Sequence, residues 1–331
     1  MNPWFDELPE RITAARHRLA PHILETPVSR AWWLEATEDD GAAPAEVWLK
    51  CEHLQHTGSF KFRGALNRLM ALAPEEHARG VIAASTGNHG QGIARAARIL
   101  GIAATVYVPE TAAPVKLAPM RALGAEVVTV PGDGLAAELE GRRAAAADGR
   151  VFVSPYNDPI VVAGQGTIGL ELAEQLPTLD ALFVSVGGGG LISGIGAALK
   201  AANPELKLIG CWPENAPAMA RCLNAGQIHE VAESATLSDG TAGGVEADAI
   251  TFQSCQALID EQRFVSEVEI AAALARLARE ERWIVEGSAG VALAAFLADR
   301  TAYARQRVAV VLCGRNIGFE KFLAAISAAD T

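Results

Sequence analysis

Several features of large protein classes are missing from this sequence. The chain has 28 basic against 39 acidic residues, a formal net charge of -11, and no Lys/Arg-rich block. This balance argues against nucleic acid and against anionic membrane as partners. The five cysteines are widely separated and form no C-x-x-C pair, which disfavours a disulfide framework and a tetrahedral zinc site. These absences favour a protein of a reducing compartment.

The sequence also lacks a targeting or membrane segment. The N-terminus, MNPWFDELPERI, is acidic and does not show the basic and then apolar pattern of a signal peptide. The one long uncharged run, ALFVSVGGGGLISGIGAAL at 181–199, contains six glycines. A strand, a tight turn and a helix explain this run better than a membrane span. We therefore expect a cytoplasmic protein without a membrane partner.

Short β-rich runs alternate with helical patterns along the 331 residues, half of which are apolar. This alternation predicts an α/β fold with parallel sheets covered by helices on both faces. The expected strands are 47–51, 81–85, 104–109, 126–131, 151–155, 181–186, 207–212 and 307–313, and the clearest helical patterns are 92–101, 166–176 and 269–283. Strand clusters at 81–131 and again after 151 suggest two α/β domains, one inserted into the other.

A glycine-rich turn follows the predicted strand at 181–186, in the segment VSVGGGGLISG. Glycines let the backbone approach an anion closely, and the following helix offers unpaired N–H groups and a positive dipole end. A dinucleotide fits less well, because the last position of G-x-G-x-x-G falls on Ile192 or Ser193. The structural alternative is a flexible strand-to-helix turn. The pattern favours a cradle for a single phosphate group.

A second turn, AASTGNHGQG at 83–92, also runs from a strand into a helix. Ser85, Thr86, Asn88 and His89 supply side-chain donors, and the helix start supplies N–H groups, a set suited to a carboxylate or another anionic substrate. The alternative is that Thr86 and Asn88 only cap the helix.

A third turn, TGSFKFRGA at 57–65, places Lys61 in the first turn of a predicted helix that Ser59 can cap. Phe60 and Phe62 flank the lysine, and a partly desolvated ammonium has the lowered pKa that a nucleophilic lysine needs. The alternative is an ordinary solvated lysine. Together, a reactive amine, a cradle for one phosphate and a carboxylate site are the parts of a pyridoxal-phosphate enzyme that acts on an amino acid.

Seven motifs occur in a fixed order from about residue 10 to about residue 325. They are KCEHLQHTGSFKFRGALN (50–67), ASTGNHGQGIA (84–94), VPETAAPVKLAPMRALGAEVV (108–128), AGQGTIGLEL (163–172), VSVGGGGLISGI (184–195), VEGSAGVALAA (285–295) and LCGRNI (312–317). In these motifs the chain resembles the serine/threonine dehydratase and serine racemase family of fold-type II pyridoxal-phosphate enzymes, relatives of the tryptophan synthase β subunit.

The resemblance implies two doubly wound parallel-sheet domains with the active site between them. The large pyridoxal-phosphate domain would comprise residues 1–52 and 154–331, and the small inserted domain residues 53–153. Homodimers are usual in this family. The racemases' divalent-metal carboxylates correspond to Trp212 and Ala218 here, so no metal ligands are expected, although Glu214 lies nearby.

The resemblance also implies roles for individual residues. Lys61 would be the Schiff-base lysine and the base that removes the α-proton, with Phe60 stacked against the ring. The other implied cofactor contacts are Asn88 at the 3′-hydroxyl, Gly187, Gly188, Gly189 and Gly190 at the phosphate, and Cys313 at the pyridine nitrogen. The substrate carboxylate would meet Ser85, Thr86, Asn88 and His89. Glu286 is expected near the ring, with a structural role as the alternative.

The implied reaction is β-elimination of water from a 3-hydroxy amino acid such as L-threonine or L-serine, giving an α-keto acid and ammonia. Two alternatives within this family stay open. Thr86 stands where the racemases carry a serine that acts opposite the lysine, so a racemase is the runner-up. Gly243 and Gly244, in LSDGTAGGVE at 237–246, suggest room for a bulkier 3-hydroxy amino acid. Outside enzymes, a small-molecule binding protein with a structural lysine is the alternative.

Overall fold

The computed structural model describes residues 3–35 and 45–328. Its strands are β1 Val28–Arg30, β2 Glu46–Lys50, β3 Val81–Ala84, β4 Ala104–Pro109, β5 Glu126–Val130, β6 Val151–Phe152, β7 Ala181–Ser185, β8 Lys207–Pro213, β9 Glu261–Val265 and β10 Arg307–Val311. Its α-helices are α1 Pro3–Asp6, α2 Leu8–Leu19, α3 Trp32–Glu35, α4 Lys61–Met70, α5 Pro74–Arg79, α6 Asn88–Leu100, α7 Pro114–Ala122, α8 Gly134–Asp148, α9 Pro159–Gln175, α10 Gly190–Ala202, α11 Ala218–Ala225, α12 Thr251–Leu258, α13 Glu267–Glu281, α14 Gly287–Ala298 and α15 Phe319–Ala328.

A six-stranded sheet has the order β1-β2-β10-β7-β8-β9. Every neighbouring pair is parallel except β1 and β2, which are antiparallel. All five residues of β7 are buried, as expected for a strand covered on both faces, whose sequence is a continuous apolar run. β10 comes last of the described strands along the chain and lies between β2 and β7.

A four-stranded sheet has the order β5-β4-β3-β6 and is parallel throughout. Its last strand, β6, pairs with β3 through Val151 and Phe152. The sequence had grouped this strand with the later ones, but the register with Val81 and Ile82 places it in the earlier cluster. Only two residues pair in β6, and the chain then turns through Ser154 and Pro155 toward α9.

Each sheet has its own hydrophobic core. The larger cluster is centred on β7, β8 and β10 with α10 and α14, and the smaller on β3 and β4 with α4 and α6. Helices α4 and α9 cross with their backbones in close contact. A Cβ atom on Gly164 would lie 2.7 Å from the Cα atom of Gly64, so the crossing has no room for a side chain there.

A buried ionic network fixes the start of α4. Arg63 donates to Glu52 at 2.8 Å and to Glu171 at 2.5 Å, and Lys50 donates to Glu171 at 2.6 Å. All four side chains are at most 1% exposed. Two cations and two carboxylates balance in charge, and Thr26 donates to Glu52 as well. The network therefore joins β2, α4 and α9 two residues beyond Lys61.

The predicted α/β class is confirmed, and each of the eight predicted strands overlaps an observed one. Two strands were missed. β1 has only three residues, and β9 is EQRFV, whose mixed polarity hides the strand pattern. The division into residues 1–52 with 154–331 and residues 53–153 stays a prediction. Within the described residues, every helix is too short or too polar to cross a membrane.

Candidate active site

The three turns singled out in the sequence lie at strand ends or helix starts. β3 leads into α6 and β7 leads into α10, so two of them lie where carboxyl ends of parallel strands meet helix N-termini. Ligands of open α/β sheets bind in this position. The third turn precedes α4 and is joined to the end of β10 by a bridge between Ser59 and Gly314.

Lys61 is the first residue of α4 and is partly buried. Its ammonium nitrogen donates to the backbone carbonyl oxygen of Pro155 at 3.0 Å and lies 5.1 Å from the centre of the Phe60 ring. Burial lowers the pKa of Lys61 to about 8, although Cys313 and Glu286 oppose the shift. A lysine with this pKa holds a substantial fraction of free amine near neutral pH, as a nucleophile or base requires.

Phe60 and Cys313 are held together by their backbones. The Phe60 N–H donates to the Cys313 carbonyl oxygen at 3.1 Å. Cys313 is buried, and burial raises the pKa of its thiol well above the ordinary value, so the sulfur stays protonated. The expected cap by Ser59 is wrong. Phe60 occupies the N-cap position, and the Ser59 hydroxyl is buried without a partner among the described residues.

The glycine turn at 187–190 is pressed between two other segments. A Cβ atom on Gly188 would lie 2.3 Å from the Tyr156 ring, and one on Gly187 would lie 2.9 Å from the Thr241 carbonyl oxygen. Gly189 has a φ of +84°, a left-handed conformation that favours glycine. Within residues 3–35 and 45–328, no acceptor is found for the backbone N–H groups of 187–190. Unpaired N–H groups at a helix start are suited to an anion.

The turn after β3 places Ser85, Thr86 and Asn88 in partly buried positions at the start of α6. The Ser85 hydroxyl accepts a hydrogen bond from the Gly87 N–H at 3.1 Å. His89 is buried, and its Nε2 atom lies 2.8 Å from the Val153 carbonyl oxygen. Burial lowers the pKa of His89 to about 3, and the nearby Lys61 lowers it further, so the imidazole is neutral.

Glu286 precedes α14 and is buried against Asn88 and Asn316. One of its oxygens accepts from the Asn88 amide at 2.7 Å, and the other accepts from the Asn316 backbone N–H at 2.9 Å. A Cβ atom on Gly314 would lie 2.7 Å from this carboxylate. Burial raises the pKa of Glu286 to about 7, while the two hydrogen bonds oppose the shift.

Gly243 lies in the loop between α11 and α12 and is exposed. Its N–H donates to Glu233 at 2.7 Å, its φ is +121°, and no atom lies within 4 Å of the position a Cβ would take. Two neighbours in the same loop make contacts closer to the site. Thr241 touches the glycine turn, and the Glu246 N–H donates to the Tyr156 hydroxyl at 2.9 Å.

The residues near Lys61 fit a ligand that carries a phosphate and a reactive carbonyl. The amine has a lowered pKa, the glycine turn has free N–H groups, and the buried hydroxyls of Thr57 and Ser59 have no partner in the part of the chain that the structure describes. The amine suits the carbonyl of pyridoxal phosphate, and the N–H groups suit its phosphate. The described residues contain no cluster of three His, Cys, Asp or Glu side chains that could hold a metal ion.

Sequence reasoning missed three residues of this site. Pro155 accepts from Lys61, Tyr156 packs on the glycine turn, and Asn316 bonds to both Asn88 and Glu286. Asn316 lies in the motif LCGRNI, so its presence was visible although its partners were not. Pro155 and Tyr156 lie just after a short strand, where the sequence carries no signal of a ligand site.

Three comparisons with known proteins bear on this site. A family model described as pyridoxal-phosphate dependent enzyme matches residues 19–314. A protein of Thermotoga maritima named L-threonine ammonia-lyase is 45% identical over 272 residues, which cover 82% of this chain and 67% of that protein.

Two solved structures resemble the whole fold. Threonine deaminase isoform 2 from Solanum lycopersicum superposes with a TM-score of 0.92 at 33% identity, covering 98% of this chain and 94% of that one. Maize serine racemase superposes with a TM-score of 0.88 at 30% identity, covering 97% of each chain.

Proposed function

This chain belongs to the family of pyridoxal-phosphate dependent enzymes, and we propose that it eliminates water from L-threonine and L-serine. The products are an α-keto acid and ammonia, 2-oxobutanoate from threonine and pyruvate from serine. The enzyme is thus an ammonia-lyase of the threonine dehydratase type. The relatives named for this activity support the assignment, at 45% identity in one bacterial protein and 33% in a plant structure.

One observation carries the proposal. The Lys61 amine, with a pKa of about 8, donates to Pro155 at 3.0 Å, and the next residue, Tyr156, packs on Gly188. A reactive amine and a phosphate site are therefore joined through two consecutive residues. This combination serves a cofactor that is held by its phosphate and attached at its carbonyl.

Further residues are proposed to hold the cofactor. The N–H groups of 187–190 and the start of α10 would bind the phosphate, and Phe60 would pack against the ring. The Asn88 amide would donate to the ring hydroxyl. Cys313 would face the pyridine nitrogen, where its protonated thiol could not hold that nitrogen as a cation in the way a carboxylate would. We also assign Glu286 to the cofactor site, because it accepts a hydrogen bond from the Asn88 amide.

The proposed reaction depends on proton transfer at Lys61. The start of α6, with Ser85, Thr86, Asn88 and the helix N–H group of His89, binds the substrate carboxylate. Lys61 Nζ, once free, removes the α-proton, because its lowered pKa keeps part of the amine neutral. The bound cofactor supplies an electron sink for the electron pair that this proton leaves behind. The β-hydroxyl then leaves with one proton as water, and the resulting enamine tautomerises and is hydrolysed by a second water to the α-keto acid and ammonia.

An amino-acid racemase is the second candidate, favoured by the position of Thr86 and by the likeness to maize serine racemase. Thr86 lies in the turn that binds the substrate carboxylate in this proposal, and its hydroxyl can return a proton to the α-carbon from the side opposite Lys61. Gly243 is exposed and lies in the same loop as Thr241, which touches the glycine turn, and this position supports use of a bulkier 3-hydroxy amino acid.

Three further features belong to this proposal. The chain acts in the cytoplasm, in line with its five free cysteines, which are typical of a reducing compartment. It works as a homodimer, as family resemblance suggests. Residues 53–153 form a small domain inserted into a large one built from 1–52 and 154–331, in line with the separate four-stranded sheet.

The test is a visible absorption spectrum of the purified protein, followed by assays of keto acid with L-threonine, L-serine and 3-hydroxy analogues. We expect a yellow protein that releases keto acid, with both properties lost in Lys61→Ala. Lys200→Ala is the matched control, since Lys200 is also a partly buried lysine but is paired with Asp260 at the opposite end of α10 from the glycine turn. A colourless protein that stays inert after added cofactor would contradict the proposal and leave the glycine turn to another phosphate ligand.

A further inference from the structure

Asn316 lies five residues beyond the end of β10 and bonds to three separate segments. Its side-chain amide donates to the Thr57 carbonyl oxygen at 2.7 Å and to the Asn88 side-chain oxygen at 2.6 Å. Its backbone N–H donates to Glu286 at 2.9 Å. Asn316 therefore contacts the turn before Lys61, the start of α6 and the residue before α14.

The hydrogen-bond inventory fixes how Asn88 is oriented. Asn316 uses both of its amide N–H groups as donors, so the facing atom of Asn88 has to be its oxygen. The Asn88 amide nitrogen then faces Glu286 and donates to it at 2.7 Å. Turning the Asn88 amide around would set its oxygen against a carboxylate and its NH₂ against another NH₂. The contact between the two NH₂ groups would be repulsive whatever the charge of Glu286, so a single orientation remains.

This orientation leaves one N–H of Asn88 free. An amide nitrogen carries two hydrogens. Among residues 3–35 and 45–328, Glu286 is the one acceptor found for the Asn88 amide nitrogen. The remaining N–H group can donate but cannot accept, because an amide nitrogen is a donor only. Any ligand oxygen at this position has to be an acceptor, which favours an ionised ring hydroxyl over a neutral one.

Asn316 also supports a backbone turn of high energy. Thr57 has a φ of +65°, which is uncommon for a residue with a branched side chain, and Gly58 has a φ of +75°. The amide of Asn316 binds the Thr57 carbonyl, and the Arg315 N–H donates to the Gly58 carbonyl at 2.9 Å. A Cβ atom on Gly58 would lie 2.9 Å from the Asn316 oxygen. The turn that leads to Lys61 is thus fixed by the segment after β10.

We propose that Asn316 is a positioning residue, which holds Asn88 as an obligate hydrogen-bond donor toward the cofactor ring and secures the turn that leads to Lys61. This inference rests on the proposed function, because it takes the ligand at Asn88 to be pyridoxal phosphate. It assigns to Asn316 no contact with the cofactor.

The experiment measures the dissociation constant of pyridoxal phosphate by titrating it into cofactor-free protein. We expect Asn316→Ala to weaken binding about tenfold or more, because Asn88 loses the partner that orients it. Asn316→Asp keeps the size of the side chain but has no N–H, and places an oxygen against the Asn88 oxygen, so it should bind at least as weakly. Circular dichroism and thermal unfolding of each cofactor-free variant report separately on folding.

Asn203→Ala is the matched control, because Asn203 also donates from a partly buried amide to a backbone carbonyl, Leu179, at the far end of α10. This variant should bind the cofactor as the unaltered protein does. A double-mutant cycle with Asn88→Ala completes the test. If Asn316 acts through Asn88, most of the effect of Asn316→Ala disappears in the Asn88→Ala background.

Two results would overturn the inference. One is a folded Asn316→Asp protein that binds the cofactor as tightly as the unaltered chain. The other is full additivity of the Asn88 and Asn316 effects. Failure of the unaltered chain to bind pyridoxal phosphate is a different outcome, since it would remove the proposed function and the inference with it.

Discussion

The ammonium nitrogen of Lys61 lies 3.0 Å from the backbone carbonyl oxygen of Pro155. A carbonyl accepts a hydrogen bond from either the charged or the neutral amine, so this contact orients the nitrogen without fixing its charge. Lys50, by contrast, is paired with the Glu171 carboxylate at 2.6 Å. Two lysines removed from bulk water thus have opposite surroundings, and only one of them is available for chemistry.

Chemical trapping should distinguish these two lysines. Borohydride reduction of the protein loaded with pyridoxal phosphate, followed by peptide mass spectrometry, should place the cofactor on Lys61 and leave Lys50 unmodified. Lys61→Ala should carry no label and lose at least about 100-fold in keto-acid production, as expected when a general base is removed. A label on another lysine of the unaltered protein would refute the assignment of Lys61.

Gly188→Ala should damage the glycine turn. The added Cβ would lie 2.3 Å from the Tyr156 ring, so we expect a loss of about 1 to 3 kcal/mol in the free energy of unfolding, the usual cost of overpacking. Cofactor affinity should fall as well. Urea denaturation and cofactor titration measure the two effects. Gly134→Ala is the control, because nothing lies within 4 Å of its Cβ position; equal damage there would rule out the steric explanation.

Glu286→Gln should change how stability depends on pH. The pKa of Glu286 is raised to about 7 in the folded chain from a reference of 4.5. Between these values the folded state holds a proton that the unfolded state has released. Stability contributed by this group is therefore present below pH 4.5 and is lost as pH rises to 7.

Over this pH interval, the free energy of unfolding of the cofactor-free unaltered protein should fall by about 3 kcal/mol relative to that of Glu286→Gln. Urea denaturation of both proteins at a series of pH values measures the difference, and carboxylates common to both cancel. If the difference in free energy of unfolding between the two proteins does not vary with pH, the pKa of Glu286 is not raised and this prediction is wrong.

Arg63→Met should destabilise the fold, because it leaves the buried carboxylates of Glu52 and Glu171 with Lys50 as their one remaining cation in the network. Breaking a buried charge network in this way costs about 3 to 5 kcal/mol. Denaturation by urea measures the loss. Arg143→Ala is the comparison, since the Arg143–Glu140 pair is exposed and its removal should leave the unfolding midpoint unchanged. Similar losses in both variants would contradict this account.

Thr86→Ala should separate elimination from racemisation. Without the hydroxyl, the turn still binds a carboxylate through N–H groups, so keto acid should still form from L-serine. D-serine should not form, because the second acid/base group is missing. Chiral chromatography measures both products, and Thr86→Ser is the matched control that keeps the hydroxyl. D-serine formation by Thr86→Ala at the rate of the unaltered enzyme would exclude this role.

The contrast between Lys61 and Asn316 indicates how far sequence alone reaches. Lys61 could be proposed from sequence because it lies beside Phe60 at a predicted helix start, and because two other turns carry the features of a phosphate site and a carboxylate site. Asn316 was not, because its partner Thr57 is 259 positions away and no local pattern encodes that contact. In the same way, the central strands were predicted from continuous apolar runs, while β9, with polar residues at a sheet edge, was missed.

The order of strands in the larger sheet has a consequence for biosynthesis. β10 is the last of the described strands to leave the ribosome, yet it belongs between β2 and β7. The four-stranded sheet, made from residues 81–152, can pair while translation continues. Until β10 is made, the edges of β2 and β7 that will pair with it have no partner strand. Such unpaired edges can mispair or bind chaperones. Because Cys313 and Asn316 follow β10, the contacts that these residues make with Phe60, Asn88 and Glu286 form only after this late strand has been inserted.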